Sequence, residues 1–176
     1  MITIFTIGHS TRSWHEFVSL LKENGIRMVA DVRRYPHSQK FPQYNREALE
    51  AGLAIEEIGY VWLEALGGWR RRSAQEVSPN LGLRSVGLRN YADHMHSREF
   101  EGAVKHLFET AAQESTAILC AERLYWKCHR RLLCDYLVSR GTELVHIQDA
   151  GKNYSHKLPP GAVITTGGVI YPEIQP

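Results

Sequence analysis

A chain of 176 residues with 43% hydrophobic and 23% charged residues can bury one core and reads as a single domain over residues 1–176. Its formal charge of +2 permits an anionic partner without demanding one, and no run approaches the roughly 20 apolar residues that cross a bilayer. Met1 leads directly into a strand-like run with no secretory-signal pattern, and three cysteines make no disulfide framework, so a reducing cytoplasm is the expected location.

Residues 2–7, ITIFTI, are β-branched and apolar and predict a buried strand. A helix follows with Ser13 as N-cap and Glu16 three residues on; Phe17, Leu20 and Leu21 form its stripe, and Asn24-Gly25 stops it. A second strand over 26–32 ends in Asp31, Arg33 and Pro36, completing a βαβ unit with a parallel pair. A helix near 45–52 and a third strand near 55–62 come next. The polar stretch WRRRSAQEVSPNLGLRSVG then predicts a long loop, the kind that serves function more often than ornament.

Residues 88–112 predict one helix with Tyr91, Met95, Phe100, Val104, Leu107 and Phe108 inward. A fourth strand in TAILCAER ends at Cys120, CHRRLLCDYLVSRG is an amphipathic helix with Gly141 at its end, and ELVHIQ is a fifth strand. The turn-rich tail allows a C-terminal edge strand. The expected fold is therefore α/β, a mostly parallel central sheet flanked by helices.

In open parallel sheets, ligands bind in the crevice outside the carboxyl ends of the strands. The residues expected there are His9 and Ser10 after the first strand, Asp31 and Arg33 after the second, and Cys120 and Glu122 after the fourth. Cys128, His129 and Arg130 open the following helix. Each has a plainer reading. Ser10 suits a helix-capping hydroxyl, Asp31 with Arg33 a surface ion pair, and Cys120 a packed small hydrophobe. Asp31 resists that reading because it follows the apolar Met28-Val29-Ala30, where a lone carboxylate is costly. Cys134, beside Leu132 and Leu133, belongs to the core. Cys128, between Lys127 and His129-Arg130 at a helix start, has surroundings that lower a thiol pKa.

Two other chemistries fit less well. Cys120, Cys128 and His129 give C-x7-C-H, which is not the paired spacing of structural zinc, and no metal or other cofactor is expected. A cysteine phosphatase or sulfurtransferase loop places an arginine six residues after its thiol; here those positions are Trp126 and Cys134. Trp69-Arg70-Arg71-Arg72, with Arg84 and Arg89 downstream, suits gripping phosphates and stacking on a base, and equally suits a solvated loop.

The segments TIGHS, DVRRYPHS, LGG, LCAE and CHRRLL, followed by VHI in this order, resemble the domain of unknown function 488 family from Ile2 to Ile147. The resemblance implies the same α/β domain and a shared pocket at His9, Ser10, Asp31, Arg33, Glu122, Cys128, His129 and Arg130. It carries no settled activity.

The leading expectation is an enzyme hydrolysing an N-glycosidic or phosphate ester bond in a nucleic acid or phosphorylated small molecule, most specifically a DNA-base glycosylase or nucleoside hydrolase. Arg33 and Arg130 would bind phosphate, helped by Ser10, Trp69, Arg70 and Arg71. Asp31 or Glu122 would activate water, and His9 or His129 would protonate the leaving group. The alternatives are a non-catalytic nucleic-acid or nucleotide-binding module and thiol chemistry at Cys128. No membrane partner is expected, and a homo-oligomer is allowed.

Overall fold

The computed structural model describes residues 2–71 and 77–173. Its centre is a six-stranded sheet built from β1 (Thr3–Gly8), β2 (Met28–Asp31), β3 (Gly59–Trp62), β4 (Thr116–Cys120), β5 (Glu143–Asp149) and β6 (Lys152–Ser155). The order across the sheet is β3-β2-β4-β1-β5-β6. The first five strands run parallel, and β6 pairs antiparallel with β5 as the edge strand that the tail allowed. Phe5 of β1 sits between Ala117 of β4 and Val145 of β5, which fixes the register of the sheet centre. A separate hairpin, β7 (Val163–Thr165) and β8 (Gly168–Ile170), closes the chain.

Alternate strand residues face opposite ways, and the helices divide between the two faces accordingly. Ile7, Val29, Ala117 and Leu119 pack against α1 (Trp14–Glu23) and α2 (Arg46–Ile55) through Phe17, Leu20, Leu21, Leu49 and Leu53. Ile4, Ala30, Ile118 and Leu144 pack on the other face under α3 (Val86–His94), α4 (Arg98–Gln113) and α5 (Arg130–Ser139). Ser13 caps α1 by accepting from the Glu16 amide at 3.2 Å, and Gly25 turns the chain with φ 66°, as the sequence predicts.

Three elements differ from expectation. The helix predicted over 88–112 is two helices: Ser97 breaks it by accepting from the Phe100 amide at 3.2 Å and starting α4 afresh. Its inward residues still meet the core, with Tyr91, Met95, Phe100, Val104 and Leu107 buried and Phe108 packed partly against them. The third strand starts at Gly59, because α2 runs on to Ile55 and Glu57 turns the chain at φ 59°. The helix expected from Cys128 starts at Arg130; a 3-10 turn, Tyr125–Lys127, precedes it and Cys128 lies between the two.

The tail is anchored by a buried polar chain. Thr6 Oγ1 meets His146 Nδ1 at 2.7 Å, and His146 Nε2 meets His156 Nδ1 at 2.8 Å. His156 Nε2 meets Asp135 Oδ1 at 2.7 Å, while the Tyr171 hydroxyl donates to Asp135 Oδ2 at 2.5 Å. All five residues are buried. The chain thus ties β1, β5, α5 and the segment after β8 by groups that would each be costly if left unpaired.

Candidate functional site at the carboxyl edge

The chain leaves β1 and β2 towards one face of the sheet and β4 towards the other, so a crevice opens at the carboxyl end of β4 between its two neighbours. The β1–β4 ladder runs on past the strands, with His9 N–H donating to the Cys120 carbonyl at 3.0 Å and Ser10 N–H to Ala121 at 2.9 Å. Such closeness requires Gly8: a Cβ there would lie 1.9 Å from the Glu122 carbonyl oxygen. Arg12, also buried, donates to the carbonyls of Gly8 and Gln148 and ties the ends of β1 and β5.

Asp31 ends β2 and is wholly buried. Its Oδ1 accepts from the Arg33 amide at 3.0 Å and from Arg33 Nε at 2.9 Å. Its Oδ2 accepts from Arg33 Nη2 at 2.6 Å and from the Tyr60 hydroxyl at 2.8 Å. Four donors fill the acceptor sites of a carboxylate, so Asp31 has none left to activate a water; it orients Arg33. Arg33 Nη1 lies 3.3 Å from His9 Nε2. A guanidinium only donates, so Nε2 carries the lone pair and Nδ1–H donates to the Ser10 carbonyl at 3.0 Å. Burial, then the charge of Arg33, hold the His9 pKa down to about 4, which keeps the ring neutral. That ring stacks on Tyr44 at 4.3 Å between centroids. Ser10 takes a left-handed φ of 47°, local strain of a kind that gathers at functional sites; the helix-capping hydroxyl is supplied by Ser13.

Beyond β4, Glu122 is exposed, and one of its oxygens accepts from the Leu124 amide at 3.1 Å. The Arg130 side chain is 1% exposed and donates through Nη2 to the carbonyls of Glu122 at 2.9 Å and Arg123 at 3.3 Å. Its Nε and Nη1 have no partner. The Cys120 and Cys128 sulfurs approach to 3.2 Å, with His129 Nδ1 3.5 Å from Cys128. Cys128, expected to be the activated thiol, is instead pushed up, by giving its hydrogen bond to Cys120 and by burial. Cys120 is pulled down, first by that bond and then by His129 and Arg130. The ring of His129 packs edge-on against Tyr91 at 4.8 Å, and a Cβ on Gly68 would meet it at 2.9 Å.

Among the described residues, two groups of side chains have donor atoms close enough for a metal. Cys120, Cys128 and His129 lie within 4.8 Å of one another, as do Cys134, His146 and His156. In the first, the Arg130 cation already acts on both thiols. In the second, every ring nitrogen is bonded to Thr6, to the other imidazole or to Asp135.

The basic loop divides. Arg70 turns inward, donating to the carbonyls of Gly67 and Glu64 at 2.9 and 2.6 Å. Trp69 is 87% exposed with φ 61°, and Arg71 is exposed. Arg72 lies outside the described residues. Beside this loop is a groove of about 310 Å3 lined by Arg34, Tyr35, His37, Arg46, Glu47 and Trp62. Arg34 Nη1 donates to the Trp69 carbonyl at 2.7 Å, Arg46 sits 4.5 Å over the Trp62 ring, and Trp62 Nε1 donates to the Arg33 carbonyl at 2.8 Å. Sequence reasoning passed over this groove, whose only local signal is an aromatic directly after paired arginines in Arg33-Arg34-Tyr35.

The chain is a mixed α/β domain whose mostly parallel sheet is covered by helices on both faces, with charged and aromatic side chains around its carboxyl-end crevice. The chain belongs to the family described as Domain of unknown function DUF488, whose model matches residues 13–137. The match includes Asp31, Arg33, Glu122 and Cys128-His129-Arg130 and stops short of His9 and β5. No curated protein and no solved structure matches the chain. Among the described residues, no helix is long and apolar enough to cross a membrane.

Proposed function

We propose that the carboxyl-end rim binds a phosphorylated, base-bearing ligand, a nucleotide or a single-stranded nucleic acid. One observation carries this reading: exposed Tyr35 and Trp69 flank Arg34, beside a groove where Arg46 lies over Trp62. Planar rings at solvent are stacking surfaces for bases, and the neighbouring guanidiniums match phosphate oxygens. Arg33, held rigid and neutralised by Asp31, supports the groove through its carbonyl, which accepts from Trp62 Nε1.

Of Asp31 and Glu122, Glu122 is the one left free to activate water in the hydrolytic part of the reading, since Asp31 is saturated and the lone pair of His9 faces Arg33. A mechanism with two working carboxylates is not supported.

A labelled single-stranded oligonucleotide, titrated at several salt concentrations, tests the binding. The affinity should fall as salt rises, by about 0.7 in logarithmic slope for each phosphate contacted. Arg34→Ala and Arg46→Ala should each flatten that slope, and Trp69→Ala should weaken binding by about 1–3 kcal/mol per stacked base. Binding indifferent to salt and to these substitutions refutes the proposal. Glu122→Gln should abolish any turnover while sparing affinity.

A further inference from the structure

Two thiols meet behind the rim, and binding at the groove uses neither. Cys120 ends β4, and its side chain falls on the face covered by α5. Cys128 follows the 3-10 turn in extended backbone, with φ −124° and ψ 153°. Their sulfurs are 3.2 Å apart, and a disulfide is about 2.05 Å long, so bonding asks for a closure of about 1.1 Å. One partner lies on a strand at the middle of the sheet, the other on a short connection between two helical segments. A movement of that size can be absorbed on the connection.

The surroundings favour a thiolate at Cys120, against which the Cys128 sulfur lies at 3.2 Å and towards which His129 and Arg130 bring positive charge. The Arg130 amide is 3.4 Å from the Cys128 sulfur, and His129 Nδ1 is 3.5 Å from it. The buried guanidinium of Arg130 keeps two nitrogens without a partner, and its charge acts on both thiols. An electropositive pocket with a second cysteine in contact is the arrangement of a redox thiol and its resolving partner. A fixed cation beside the pair disfavours a divalent metal in the same place. Both cysteines are only 6–7% exposed, which admits a small oxidant and excludes a bulky one.

We infer that Cys120 and Cys128 form a reversible dithiol–disulfide couple that is oxidised by a hydroperoxide. The Cys120 thiolate attacks the distal peroxide oxygen; the O–O bond breaks, Cys120 becomes a sulfenic acid, and hydroxide or alkoxide leaves. The Cys128 sulfur then attacks the sulfenic sulfur. The S–S bond forms, the S–O bond breaks, and the Cys128 proton leaves with the hydroxyl as water. With hydrogen peroxide, the two thiols lose two electrons and two protons and the peroxide becomes two waters. A dithiol reductant reverses the change.

The test uses the full chain and no ligand, so failure of the nucleic-acid reading leaves it unaffected. Reduced protein is exposed to hydrogen peroxide, quenched, unfolded and alkylated, then weighed intact and mapped as peptides. Of its three free cysteines, only Cys134 should take the alkylating group. The mass before alkylation should fall by two hydrogens, a peptide joining Cys120 to Cys128 should appear, and dithiothreitol should restore all three thiols. Cys120→Ser and Cys128→Ser should each abolish the cross-link, and Cys134→Ala should keep it. The peptide map of the unsubstituted chain stands independently of how the variants fold. Alkylation of all three cysteines after peroxide, or a cross-link persisting in Cys128→Ser, overturns the inference. So does protection of both thiols by stoichiometric zinc in the reduced protein, which would make the pair a metal site.

Discussion

Arg33 holds the carboxylate of Asp31, two residues before it, through side-chain bonds of 2.9 and 2.6 Å, and both side chains are almost wholly out of water. A buried pair of this kind contributes little net stability compared with an apolar substitute, yet breaking it strands the remaining charge. Asp31→Asn should therefore cost on the order of 3–5 kcal/mol, read by urea denaturation. Were Asp31 a general base instead, the amide would fold as well as the acid and lose only turnover.

Gly8 is a packing requirement first. Placing a Cβ 1.9 Å from a backbone carbonyl cannot be relieved by a side-chain rotation, because the obstacle is the Glu122 main chain. Gly8→Ala should separate the ends of β1 and β4 and destabilise by about 1–3 kcal/mol or more. Amide exchange at His9 and Ser10, whose N–H groups donate to Cys120 and Ala121, should rise in parallel.

Acid should unfold the protein through its histidines. Burial, then Arg33, hold His9 at about 4; burial, then His156 and Arg130, hold His146 at about 3. An unfolded histidine titrates near 6.5, so below that value the unfolded chain binds more protons than the native one. The contribution of each ring is complete above about pH 6.5 and drains away as pH falls towards its folded value, by up to about 1.4 kcal/mol per unit. Denaturation midpoints measured from pH 7.5 to 4.5 should hold to about pH 6.5 and fall below it. His146→Gln, if it folds, should flatten that fall; an unchanged slope would exclude this source.

The tail is held at Asp135, which accepts from Tyr171 at 2.5 Å. Tyr171→Phe removes a bond to a charged acceptor and should cost about 1.5–3 kcal/mol. The hairpin β7–β8 and the segment beyond it should lose exchange protection, while binding at the rim, on a different part of the fold, should persist.

Much of the framework is legible because β-branched runs and capping residues act locally: ITIFTI, MVAD and TAILC form strands, and Ser13 starts its helix. The break at Ser97 is not legible, since nothing but a serine interrupts a continuous apolar periodicity. At the site, sequence order with a parallel sheet suffices to bring His9, Asp31, Arg33 and Cys120 to one edge. What each does there depends on partners far along the chain. Tyr60 fills the last acceptor site of Asp31, Tyr44 supports His9, and Arg130 turns to the 122–123 carbonyls. The two thiols have no spacing signature, because a strand end and an irregular turn, not a helical repeat, bring them into contact.

The strand order has a consequence for synthesis. β1 precedes the other strands in the chain, yet both of its neighbours belong to the later part, Phe5 pairing with Ala117 and Val145. Until β4 is made, the chain can join only β2 to β3 and the apolar ITIFTI segment has neither edge paired; β4 then covers one edge and β5 the other. Chains cut before β4 should therefore expose both edges of that segment to chaperones, and chains cut between β4 and β5 should still expose one.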